Sequence, residues 1–104
     1  MLRFKSQAEQ TAWSLAEALT EKGFATMRQA EEAAEMFRSG QLQTRQQFEQ
    51  KGLGHADADI RWSGTANAKK ALADNTYYMT QASMYHGAAA AQYARALYLS
   101  QTDG

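Results

Sequence analysis

His55-Ala56-Asp57-Ala58-Asp59 is the stretch of this chain richest in groups that do chemistry. Its imidazole and two carboxylates stand two residues apart, so an extended backbone would aim all three to one side, as metal ligands must be aimed. The plainer expectation is a solvated loop with an aspartate capping the next helix, because no second histidine or acidic cluster stands nearby. His86, the other histidine, falls between Ser83 and Ala90 on a helical stripe, where a hydrogen-bonded core or interface imidazole is expected rather than a base. No nucleophile with a partnered base can be assembled from the spacing, and there is no phosphate-cradling glycine loop. The expectation is a protein with no catalytic, cofactor or metal site, one that acts through contacts.

The elements that would carry such contacts are helical. Alanine supplies 21 of the 104 residues and glutamine 11, valine is absent and Ile60 is the lone isoleucine. Alanine and glutamine lose little freedom in a helix, while the β-branched residues that favour strands are missing, so no sheet is expected. Eleven basic and eleven acidic residues balance, and they balance within each half as well. Phosphate neutralisation needs clustered Lys and Arg, so nucleic-acid binding is disfavoured. Cysteine is absent, which removes disulfides and thiolate chemistry. The amino end, with Arg3 and Lys5, runs into Gln7, Glu9 and Gln10 where a secretory signal needs an apolar run. The most apolar stretch, Gly87 to Leu99, is too short and too polar for stable membrane insertion.

Ser6 and Glu9 have the spacing of a capping box, which opens a first arm running to Ser39-Gly40. Its stripe is Ala8, Ala12, Leu15, Leu19, Gly23, Met27, Ala30, Ala34 and Phe37, and the arm is expected to pass through Gly23 as one helix, kinked or straight. The alternative is a break at Lys22-Gly23 with a new cap at Thr26. Gln41 to Lys51 reads as a short polar helix anchored by Leu42 and Phe48, and residues 52–63 as a loop. The second arm opens at Ser63 or Thr65 and runs to Ser100, with a stripe of Ala68, Leu72, Thr76, Met79, Ser83, His86, Ala90, Tyr93 and Leu97. Two arms of nearly equal length predict an all-α antiparallel hairpin with a short extra helix before the turn, in a single helical domain.

A lone hairpin cannot cover every apolar residue of the second arm. Ala88 to Ala91 admit close backbone approach, and tyrosine combines broad area with a hydroxyl that tolerates a wet edge. Tyr78, Tyr85, Tyr93 and Leu97 are therefore the candidate interface residues, through which the arms pack into a multi-helix bundle on association. Trp13 and Phe24 are expected in the core. Arg61, Lys69 and Lys70, and the acidic group Glu31, Glu32 and Glu35, are expected as solvated faces.

Trp62-Ser63-Gly64, followed by Thr65-Ala66-Asn67-Ala68 and flanked by helices in a chain of about a hundred residues, resembles the Trp-Xaa-Gly family of small helical hairpins associated with type VII secretion. The resemblance implies a homodimeric or heterodimeric four-helix bundle, no catalysis, and export without a cleaved signal. Trp62 and Gly64 would form the corner, with the indole across the base of both arms and the glycine allowing a tight turn. The family's export spacing, a tyrosine followed four residues later by an acid, is not reproduced: Tyr98 is followed at that distance by Thr102, with Asp103 one step beyond. The competing expectation is a small structural subunit of a bacteriophage capsid, neck or tail, which also needs no signal, cysteine or active site. The expected partners are further copies or a similar helical protein. The expected location is outside the cell or in a virion, with a cytoplasmic stage before export or assembly.

Overall fold

The computed structural model describes residues 4–102, and among these every regular element is an α-helix. Arg3 of the amino-terminal basic pair and Asp103 after Tyr98 lie outside the described residues. The order is α1 (Gln7–Gln50), α2 (His55–Ser63) and α3 (Ala66–Gln101). The chain is therefore all-α, long helix, short helix, long helix, as the composition predicts.

The start of α1 uses the expected cap. The Glu9 amide donates to Ser6 Oγ at 3.1 Å, and the Glu9 carboxylate accepts from the Lys5 amide at 2.9 Å, so two amides without helical partners are satisfied. Neither glycine of the first arm interrupts it. The helix continues through Gly23, and Thr26 is an interior residue whose hydroxyl donates to the Lys22 carbonyl at 2.8 Å.

The expected end at Ser39-Gly40 is overturned, because α1 runs on for 44 residues to Gln50. The separate helix expected from Gln41 to Lys51 is instead the last turns of α1. The stop signal is Gly52, the one positive-φ residue among those described (φ 74°). Around it the Leu53 amide donates to the Phe48 carbonyl at 2.8 Å and the Gly52 amide to the Glu49 carbonyl at 3.0 Å. That pair of bonds is a Schellman cap, which glycine permits because it has no Cβ to strain in the left-handed region.

The expected loop over 52–63 is also corrected, since most of it is α2. The corner after α2 works differently from the glycine turn anticipated. Gly64 has φ −82° and ψ −10°, ordinary right-handed values, and a Cβ there would meet only carbonyl oxygens at 3.6–3.7 Å. Thr65 makes the turn instead. Its hydroxyl donates to the Trp62 carbonyl at 2.7 Å and accepts from the Ala68 amide at 3.2 Å, closing α2 and capping α3 with one group. Ser63 bonds back to the Ile60 carbonyl and leaves the cap of α3 to Thr65.

The chain divides into two compact units, residues 4–27 with 80–102 and residues 28–79. In the first, Trp13 meets Tyr93 and Phe24 meets His86, so the segments of α1 and α3 run antiparallel. In the second, α1 and α3 segments are tied by Asn75 Nδ2 donating to the Ala30 carbonyl at 2.8 Å, and α2 lies against α1.

Candidate interaction surface

The buried positions are small. Ala12, Ala16, Ala30 and Ala33 of α1, Ala58 of α2, and Ala68, Ala71, Ala82, Ala89 and Ala96 of α3 form the hydrophobic core, with Glu9 and Thr26 as buried polar residues. Among the described residues no large side chain is fully buried. On α3, Ala68, Asn75, Ala82, Ala89 and Ala96 stand seven apart; on α1, so do Glu9, Ala16, Gly23 and Ala30. A sustained seven-residue period keeps one seam turned toward a neighbouring helix. Alanine on that seam lets backbones approach closely, which is how the Asn75 amide reaches a main-chain carbonyl of α1. Asn75 is the polar member of the α3 series, and a polar group on a seam fixes register, because any slip leaves it unpaired.

This geometry corrects the stripe expected for the second arm. Leu72, Met79 and Leu97, expected on the packed face, are 49%, 47% and 59% exposed. The packed face lies one residue earlier at each of these places, on Ala71, Tyr78 and Ala96. Leu15 of the first stripe is likewise exposed, whereas Gly23 and Ala30 are buried as expected.

In the first unit an aromatic flank borders the seam. The Trp13 and Tyr93 rings meet edge to face with centroids 5.3 Å apart, Phe4 lies 6.4 Å from Trp13, and the Trp13 indole donates to Glu17 at 2.7 Å. His86 sits directly on Gly23, with Phe24 edge-on at 5.2 Å. Its Nε2 is buried and has no hydrogen-bond partner within the chain. The Lys22 ammonium lies 5.1 Å from the Tyr85 ring centroid, a cation–π contact. Leu15, Phe24, Met84, Leu97 and Tyr98 remain exposed in this unit.

In the second unit Trp62 lies on α1. Its benzo ring covers Gly40, at a spot any Cβ would occupy, and Phe37 meets it with centroids 5.7 Å apart. The Ser-Gly pair that reads as a helix stop is thus a seat for the indole. Trp62 Nε1 is buried without a partner. Beside the ring a cavity of about 460 Å³ is floored by Ala33, Met36, Gly40 and Ala71 and rimmed by polar groups that include the exposed Lys70–Asp74 pair. Arg45 clasps Asp59 through two bonds of 2.8 and 2.7 Å, which fastens α2 to α1. His55 pairs with Glu49, so two of the three groups spaced two apart are turned to α1 side chains rather than to a shared ligand. Met36, Leu42, Leu53, Ile60, Leu72, Tyr77 and Met79 are exposed.

The hydrogen bonds from Arg45 hold the Asp59 carboxyl below its usual range. A group whose folded pKa is lowered adds stability above its unfolded pKa, and the contribution disappears as pH falls through the folded value. Wild type is therefore expected to exceed Asp59→Asn in urea midpoint at neutral pH, with the gap closing on acidification below the ordinary carboxylate range. A pH-independent gap would contradict the assignment.

The candidate residues are dispersed rather than gathered. Tyr85 and Tyr93 are half-buried against α1 side chains, Tyr78 is half-buried and meets Tyr77 edge to face at 5.3 Å, Leu97 is open to solvent, Trp62 is half-buried on Gly40, and Gly64 is exposed. Met84 and Met36 are exposed apolar groups that the helical stripes do not single out. No helix among the described residues is long and apolar enough to cross a membrane. Compared with protein-family models, curated proteins and solved structures, the chain matches none.

Proposed function

We propose that this chain is a non-catalytic helical assembly protein, completed by packing against further copies or a similar helical protein. The observation that carries the reading is the inversion of side-chain size between inside and outside. Alanines fill the seam while, among the described residues, twelve large apolar side chains stand exposed, with Met36 at 70% and Ile60 at 72%. Burying an alanine methyl contributes only about 0.8 kcal/mol, against roughly 1.5–3 kcal/mol for a leucine or methionine side chain. These large side chains thus keep apolar area that the single chain does not bury.

The resemblance carried by Trp62-Ser63-Gly64 supports an exported helical pair as the setting, and a virion subunit would use the same kind of surface. The assembly reading is tested by thermal unfolding over a hundredfold range of protein concentration. Coupled folding and association raises the midpoint with concentration; a constant midpoint would exclude self-assembly.

A further inference from the structure

We propose that the corner formed by the end of α1, by α2 and by the start of α3 binds a small aromatic phosphate ester, held by Lys51 and Arg61. The inference goes beyond the assembly reading and does not rest on it. The site is a cavity of about 440 Å³ within the second unit, with Phe48 and Trp62 as its apolar wall and Gln47, Lys51 and Arg61 among its polar groups. Small-molecule sites have volumes of this order. Lys51 directly follows the last turn of α1 and Arg61 stands in the last turn of α2, so folding of the short helix is what sets both cations around one space.

The wall is rich in donors and poor in acceptors. Lys51 and Arg61 carry donors alone, and neither makes a hydrogen bond or ion pair among the described residues. No carboxylate lines the cavity, and the acids nearest in sequence are engaged elsewhere, Asp59 by Arg45 and Glu49 by His55. Helix-end carbonyls could also draw these cations, but those of Phe48 and Glu49 accept from the Leu53 and Gly52 amides, and those of Ile60 and Trp62 from the Gly64 and Thr65 amides. The lining hydroxyls are committed too. Thr44 donates to the Gly40 carbonyl, and Thr65 bonds the Trp62 carbonyl and the Ala68 amide. Trp62 adds a buried Nε1 donor that no acceptor of the chain takes. Unclaimed donors with no acid among them select an anion. Two positive side chains match a phosphate ester, which carries a charge of about −1.5 to −2 at neutral pH, and a guanidinium fork suits its oxygens. The half-buried Phe48 and Trp62 give the ring of the ester an apolar wall.

The test titrates phenyl phosphate into the full chain, with phenol as the uncharged probe, and follows the two indole N–H signals by nuclear magnetic resonance. Trp13, which donates to Glu17 in the first unit, is the internal control. Phenyl phosphate is expected to shift the Trp62 signal to saturation with a Kd of about 1 mM or tighter, leaving Trp13 unmoved, while phenol does not saturate. Arg61→Gln and Lys51→Gln remove exposed side chains without partners, so they should fold as wild type does and each weaken binding about 10-fold. Lys69→Gln, an exposed cation outside the cavity wall, should bind as wild type does. Absence of a saturable shift would overturn the site. Phenol binding as tightly as the ester would overturn the anion assignment, and equal weakening by Lys69→Gln would reduce the effect to diffuse charge. None of these outcomes bears on the assembly reading, which the concentration dependence of unfolding tests separately.

Discussion

Trp62→Ala is expected to lower unfolding stability by about 3 kcal/mol, the lower end of the range for truncating a large aromatic side chain, because the indole is half-buried. The loss comes from the cavity left over Gly40 and beside Phe37, since the indole Nε1 makes no hydrogen bond that truncation could break. Glycine at 40 cannot refill the space. Urea denaturation followed by circular dichroism measures the effect. A change below about 1 kcal/mol would show that the ring does not hold α2 on α1 as described.

Gly23→Ala is expected to destabilise, although the same exchange inside an ordinary helix stabilises by about 1 kcal/mol. The reason is His86, whose ring occupies the volume that a Cβ at position 23 would need. The imidazole is also flanked by Phe24, so it cannot swing aside freely. Overpacking of this kind costs roughly 1–3 kcal/mol, enough to reverse the sign. In the background of His86→Ala the obstruction is gone, and Gly23→Ala should then stabilise. The coupling between the two changes is expected to be about 2 kcal/mol in a double-mutant cycle. The same sign in both backgrounds would refute the contact.

These two glycines also show where the sequence was legible and where it was not. The helical class followed from alanine, glutamine and the lack of β-branched residues, and the cap at Ser6 and Glu9 followed from spacing, because both depend on local physics. Gly40 did not read correctly. Ser39-Gly40 has the composition of a helix end, but a residue brought in from α2 decides its role. The α2 segment itself has no apolar period, and its helix is held by Ala58 burial and the Arg45–Asp59 clasp, both tertiary. The second-arm stripe differs from the expected one because alanines, not the large apolar residues, take the inside. How closely two backbones approach decides whether alanine or leucine is buried, and that distance is not written in either helix alone. A signal was present nonetheless: Ala68, Ala82, Ala89 and Ala96 keep the seven-residue spacing in the bare sequence. At the corner, Trp62 and Gly64 drew attention to the right place, but the turn is made by the Thr65 hydroxyl next to them.

The central claim is that an alanine seam leaves the large apolar side chains of this protein to be covered by other helices. The mass of the purified protein in solution, measured by sedimentation equilibrium at micromolar concentration, tests it most directly. A particle of at least twice the 11.5 kDa chain mass is the predicted result. A folded particle of single-chain mass that stays monodisperse as concentration rises would contradict self-assembly through those side chains.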